Sequence, residues 1–221
     1  MGWDFIWANR HLLLLGFWFT LTLTLLTIVT STVVGFLVAL ARAARVPVLS
    51  QALRVYLEVF RGSPLLIQIL FIFFGAAYLN IINITVFQAA AIAITFYQGA
   101  YVCEIFRAGL ESVPKGQREA GQVLGLSRFS LTKEVVLPQT MTVVLPPLFG
   151  QYITLVKNTS LASVIGYFDL VRQGQGLIDR QGNPFAIFLV VAALYFIISY
   201  PLSLIARYLE KRTIRTRKGE S

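Results

Sequence analysis

Few side chains in this sequence have the chemistry that enzymes use. The 221 residues include one histidine, His11, and one cysteine, Cys103. A single cysteine excludes an internal disulfide and a multi-cysteine metal site. No stretch matches G-x-x-x-x-G-K-[ST], the loop that holds nucleotide phosphates. The sequence therefore predicts neither an enzyme nor a metal or cofactor bound by this chain.

The remaining candidates are polar side chains inside or at the end of long apolar runs. Charged groups within a bilayer are costly and usually face a cavity or a charged partner. Glu104 could therefore contact a substrate, but Arg107 follows three residues later, and an ion pair along one helix is the favoured alternative. The side chains predicted to line a polar path are Gln98, Glu104, Asn158, Thr159 and Ser160.

The composition indicates that these residues belong to a membrane protein. Hydrophobic residues make up 57% of the chain and charged residues 13%, whereas soluble domains carry about 25% charged residues. The net charge of +9 does not favour nucleic-acid binding. Much of the basic charge follows the last apolar run directly, in the position of juxtamembrane charge that orients a chain.

Five apolar stretches are long enough to cross a bilayer, which takes about 20 residues. Their approximate ranges are 12–41, 55–79, 85–106, 135–156 and 185–206. Such continuous runs predict helices, because lipid offers the backbone no hydrogen-bond partners. Pro146–Pro147 would break the fourth helix at the path, or would simply kink it for packing. The predicted fold is a single all-α transmembrane domain spanning residues 1–221.

The distribution of Lys and Arg predicts an extracytoplasmic N-terminus and a cytoplasmic C-terminus. The side assigned to the outside carries only Arg10, Lys157, Arg172 and Arg180. The other basic residues fall on the opposite side, and they include Arg45, Arg215, Arg217 and Lys218. This assignment places the stretch between the third and fourth spans, about residues 115–134, in the cytoplasm.

That cytoplasmic stretch has the pattern of a docking helix. Ala120, Val123, Leu124 and Ser127 follow the i, i+3, i+4, i+7 spacing of one helix face. Gly121 and Gly125 should keep a neighbouring edge small, so that another protein can approach, and Gly125 should end the helix. A second helical piece should begin at Ser127 or Ser130. The alternative is an amphipathic helix lying on the inner leaflet.

Four stretches resemble one family. Glu119-Ala120-Gly121, then Gly125, then Leu137-Pro138 resembles the EAA loop of permease subunits of bacterial ABC importers, with Gly121 in place of the second alanine. EVFRGSPLLIQ (58–68), YVCEIFRAGLESVPKGQREAG (101–121) and KNTSLASVIG (157–166) are similar to the polar amino acid branch of that family.

The resemblance implies a multi-pass protein of the bacterial inner membrane that moves a polar, neutral or acidic amino acid. Its expected partners are two ATPase subunits that bind ATP and Mg, a second permease subunit and an extracytoplasmic substrate-binding protein. The residues expected to couple to the ATPase are Glu119, Ala120, Gly121, Val123, Leu124 and Gly125. A self-sufficient channel or secondary carrier is the alternative, and it would not explain the docking loop.

Overall fold

The computed structural model describes residues 2–44, 46–79, 83–181 and 183–219, with side chains for all of these except residues 2, 181 and 214–219. Within these ranges the secondary structure is helical and contains no strand, which confirms the predicted all-α fold. Arg45 and the side chains of Arg215, Arg217 and Lys218, which entered the orientation argument, lie outside the described residues. The orientation and the single-domain assignment stay predictions.

The described helices follow one another with short connections. In chain order they are α1 (Gly2–Ala8), α2 (Arg10–Ala43), α3 (Pro47–Gly62), α4 (Leu65–Leu79), α5 (Val86–Glu111), α6 (Lys115–Val123), α7 (Arg128–Ser130), a π-helical turn (Leu131–Val136), α8 (Leu137–Asn158), a 3₁₀ helix (Thr159–Ile165), α9 (Leu170–Gln181) and α10 (Pro184–Gly219). Helix α5 lies at the centre and packs against α2, α3, α4 and α8.

Among the described residues, three helices are long and apolar enough to cross a membrane: α2, α5 and α10. The predicted second span differs from the structure, because helices α3 and α4 meet at an angle of 109° instead of forming one rod. Ser63 is extended at φ −118°, ψ 149°. Proline disfavours the helical conformation of the residue before it, so Pro64 accounts for the break. If the bent pair α3 and α4 is counted as one span, the described residues contain four candidate spans.

The predicted fourth span is present as helix α8, but this helix is not among those apolar enough to qualify on composition. The count of five spans therefore stays a prediction. Helix α8 also continues through Pro146 and Pro147, so the break proposed there is wrong. Pro146 has no N–H for the Thr142 carbonyl, and the Thr213 hydroxyl of α10 donates to that oxygen instead, at 2.9 Å.

Helices α2 and α5 are in close contact along most of their length. Gly35 is buried on α2, and a Cβ atom added to it would lie 2.6 Å from the Cβ of Val102 and 2.8 Å from the carbonyl oxygen of Gly99. The hydroxyls of Thr30 and Thr95 are 2.6 Å apart across the same interface. Small residues and interhelical hydrogen bonds hold helices together in lipid, where apolar burial contributes little.

We expect Gly35→Ala to destabilise the protein, since the added methyl group would push α2 and α5 apart. Overpacking a close contact costs about 1–3 kcal/mol. The measurement is the thermal unfolding midpoint of the full chain in detergent. Gly75→Ala is the matched control, because Gly75 also lies inside a helix and has nothing within 4 Å of an added Cβ. Equal midpoints for the two variants would contradict the close contact.

Candidate functional site

The docking segment between α5 and α8 is built around Gly125. Helix α6 ends when the N–H groups of Leu124, Gly125 and Leu126 donate to carbonyls of the preceding turn. Gly125 has φ +76°, a left-handed conformation that glycine adopts without strain. The Ser127 hydroxyl then accepts a hydrogen bond from the N–H of Ser130 at 3.1 Å and caps α7. The predicted helix end and the second helical piece are both confirmed.

The two sides of α6 have different roles. Glu119 and Ala120 are exposed, and Val123 and Leu124 expose 87% and 79% of their surface. Val123 and Leu124, together with Ala120, form one apolar face that no described part of the chain covers; we call it the outer face. Ser127, which the spacing placed on this face, instead lies beyond the end of α6.

The sequence suggested that Gly121 faces outward and keeps an edge of α6 small for another protein, but the structure places it on the inner side. Gly121 is buried, and an added Cβ would collide with the Cδ1 atom of Leu131 in the π-helical turn. Its small size therefore lets α6 pack closely against its own chain. Gly125 has nothing within 4 Å of an added Cβ. The result is a hairpin whose inner side is tied to the beginning of α8.

Glu104 is the centre of a charge network on α5. Its Oε1 accepts a hydrogen bond from Nη1 of Arg42 at 2.5 Å, and its Oε2 accepts one from Nε of Arg107 at 2.9 Å. Nη1 of Arg61 lies 3.9 Å from Oε2, and Arg107 also reaches Glu111 at 2.6 Å. The predicted pairing with Arg107 is present, but α2 and α3 supply two further cations that the sequence did not reveal.

Glu104 lines two cavities. One of about 610 Å³ is also lined by Arg42, Arg61 and Tyr101. The other, of about 350 Å³, lies along α5 and α8 and is also lined by Tyr101, Val143, Pro147 and Gln151. The Val143 carbonyl has no helical donor, because Pro147 lacks an N–H. Irregular hydrogen bonding at membrane depth is tolerated where it lines a cavity, and this groove, whose wall is mainly apolar, adds the polar side chains of Glu104 and Gln151 to that carbonyl.

The other predicted path residues are not brought together there. Gln98 is buried and donates through Nε2 to the Gln151 carbonyl at 2.8 Å. The Thr159 hydroxyl is buried and bonds to the Val156 carbonyl. The Ser160 hydroxyl bonds to the carbonyl of Lys157.

Asn158 is the residue of this group with a free amide. It is half-buried, and its side chain makes no hydrogen bond with a described residue. Asn158 also does not cap the helix that follows, because its side chain makes no cap hydrogen bond, contrary to one interpretation of the sequence.

Asp169 is a buried polar residue that the sequence did not single out. Its carboxylate accepts hydrogen bonds from the Arg172 N–H at 2.9 Å and from the Tyr195 hydroxyl at 3.0 Å. It is fully buried between the 3₁₀ helix and α9, and burial raises the pKa of its carboxyl group to about 6. Asp169 therefore ties α9 to α10 next to the segment that carries Asn158.

These features define a helical membrane protein with a hairpin that exposes an apolar face and a groove beside Glu104. A family model described as the binding-protein-dependent transport system inner membrane component matches residues 31–215. The chain belongs to this family.

Named relatives match almost the whole chain. The glutamine transport system permease protein GlnP of Escherichia coli (strain K12) is 39% identical over 211 residues, which are 95% of this chain and 96% of that protein. The probable glutamine ABC transporter permease protein GlnP of Bacillus subtilis (strain 168) is 39% identical over 216 residues, covering 95% and 99%. The resemblance to amino acid ABC permeases seen in the sequence is thus confirmed.

Solved structures agree with this assignment. A crystal structure of an amino acid ABC transporter with histidines matches with a TM-score of 0.86 and 32% identity, covering 96% of this chain and 100% of that one. An inward-facing structure of the MetNI methionine ABC transporter matches with a TM-score of 0.68 and 21% identity, covering 95% and 99%. The second match shows a shared fold alone.

We expect Glu104→Gln to lower stability by about 1–2 kcal/mol, because Arg42 and Arg107 would lose a charged acceptor in a half-buried site. The measurement is the unfolding midpoint in detergent, where this loss corresponds to roughly 3–6 °C for a chain of this size. Glu58→Gln is the control, since Glu58 lines the same cavity, is exposed and makes no ion pair with a described residue. An unchanged midpoint together with impaired transport would instead favour substrate contact by Glu104.

Proposed function

We propose that this chain is the transmembrane subunit of an ATP-driven importer and that its substrate is a polar, uncharged amino acid, with glutamine the favoured one. The observation that carries the proposal is the outer face of α6, an exposed apolar surface on a hairpin that is locked to two central helices. A self-sufficient carrier has no use for such a surface. The relatives named as glutamine permeases support the substrate.

The proposed coupling runs from the outer face to the groove. A separate ATPase subunit, which binds ATP and Mg, contacts Val123 and Leu124. Gly121 packs on Leu131, and the π-helical turn continues without a break into α8. A displacement of the hairpin therefore moves α8 relative to α5, and this movement changes the groove lined by Tyr101, Glu104 and Gln151.

The substrate preference rests on Asn158, which lies outside the groove between α5 and α8. Its side-chain amide has both donors and an acceptor, and none of them is used by a described residue. A neutral amide pairs well with another amide and offers no charge for a cationic or anionic side chain. We therefore favour a neutral substrate, which narrows the neutral or acidic range expected from the sequence.

The remaining partners follow from the same proposal. The chain would work in the bacterial inner membrane with a second permease subunit, identical or similar, which completes the path. An extracytoplasmic binding protein would deliver the amino acid, and two ATPase subunits would bind on the cytoplasmic side. The extracytoplasmic N-terminus predicted from the basic residues agrees with this arrangement.

We expect Leu124→Asp to reduce ATP-driven glutamine uptake and retention of the ATPase during purification, each at least tenfold. Burying an unpaired carboxylate at a docking surface costs several kcal/mol, and 1.4 kcal/mol corresponds to a factor of ten. Leu124 is exposed, so the unfolding midpoint of the isolated chain should not change. The measurements are uptake by proteoliposomes that contain the complete complex and quantitative mass spectrometry of the purified complex.

Leu124→Met is the matched control, because it keeps the apolar character and the approximate volume of the side chain. It should retain both uptake and the ATPase. If Leu124→Asp behaves like Leu124→Met, the outer face does not dock the ATPase. Uptake by the chain alone, without any ATPase, would support the channel or carrier alternative.

A further inference from the structure

A cavity of about 840 Å³ lies on the opposite side of α6 from the outer face. The ends of α2 and α5, helices α6 and α7 and the π-helical turn line it. Apolar parts of its wall come from Ala39, Leu110, Leu131 and Val136. The charged side chains in the wall are predominantly basic, and they are Arg42, Arg107, Glu111, Lys115, Arg118 and Arg128.

Carboxylates compensate only part of this positive charge. Arg42 pairs with Glu104, and Arg107 pairs with Glu104 and Glu111. The other basic side chains of the wall, Lys115, Arg118 and Arg128, have no carboxylate of a described residue within 4.0 Å. The cavity therefore carries an excess of positive charge that no described part of the chain neutralises.

The basic groups are partly arranged by the structure. Lys115, Arg118 and Gln122 all line the cavity, and their i, i+3, i+7 spacing places them on one side of α6. Arg118 donates from Nη2 to the Leu110 carbonyl at 2.7 Å, which fixes its guanidinium group beside the end of α5. The outer face points away from this side of α6.

We propose that this cavity binds a phosphate group, carried either by an anionic lipid headgroup or by a soluble phosphate ester. Guanidinium and ammonium groups are the side chains that bind phosphate oxygens. Basic pockets at the cytoplasmic ends of transmembrane helices suit anionic headgroups. The apolar wall residues Ala39 and Leu110 would accommodate the uncharged part of the ligand. The lipid source relies on the proposed cytoplasmic placement of the hairpin.

The test compares two double variants that remove the same charge. Lys115→Gln combined with Arg128→Gln removes two basic side chains from the wall of the cavity. Lys133→Gln with Arg207→Gln removes two basic groups that do not line it. The full chain, purified with any subunits that accompany it, is titrated with dioleoylphosphatidylglycerol, dioleoylphosphatidylcholine or inorganic phosphate. The readouts are lipid retained in native mass spectrometry and the unfolding midpoint.

We expect the wild type to retain phosphatidylglycerol in preference to phosphatidylcholine. The cavity variant should bind it about 30-fold more weakly, the effect of removing two basic groups near a membrane surface, while the control variant changes little. Stabilisation by inorganic phosphate that is lost only in the cavity variant, without a lipid preference, assigns the soluble ester as the source. Equal weakening in both variants, or no effect of either ligand, overturns the proposal.

All four substituted residues lie on the surface, and an unchanged unfolding midpoint without ligand shows that each variant is folded. The assay measures binding and not transport. A failure of the docking proposal for Leu124 would therefore leave this result unaffected, and the reverse also holds.

Discussion

The contact between α2 and α5 is the constraint on which the rest of the molecule depends. Two apolar helices gain little from meeting each other in lipid, so the contact relies on close approach at Gly35 and Gly99 and on the hydroxyl pair of Thr30 and Thr95. Because α2 lies so near α5, Arg42 at the C-terminal end of α2 reaches Glu104 on α5. A charge inside the helical domain is thereby compensated within the chain.

The hairpin that begins with α6 has two sides with different surroundings. Its outer side, at Val123 and Leu124, is apolar and open to another protein. Its inner side is fixed by the contact of Gly121 with Leu131 and by the turn at Gly125. A loosely held helix could bind an ATPase but could not transmit its motion. The π-helical turn runs directly into α8, which is the connection that the proposed coupling requires.

Local chemistry explains which parts of this arrangement the sequence predicted. The positive φ of Gly125, the start of the second helical piece at Ser127 and the pairing of Glu104 with Arg107 each depend on residues a few positions apart. The first and third were anticipated, and Ser127 was one of the two starting points considered for the second. The inward orientation of Gly121 was not anticipated, because it depends on a contact with Leu131 in the π-helical turn that follows. The 109° bend between α3 and α4 was not anticipated either, because hydropathy treats this stretch as one span and does not register how Pro64 breaks the helix.

The sequence by itself determined the membrane class, the helical fold, the family and the position of the hairpin between the third and fourth predicted spans. Composition and nearby motifs carry that information, because lipid admits few kinds of backbone and local turns obey local rules. Only the tertiary structure decided that Arg42 and Arg61 join Glu104 and that Asp169 is buried beside Tyr195. These contacts join distant segments, and their geometry arises when the helices pack together.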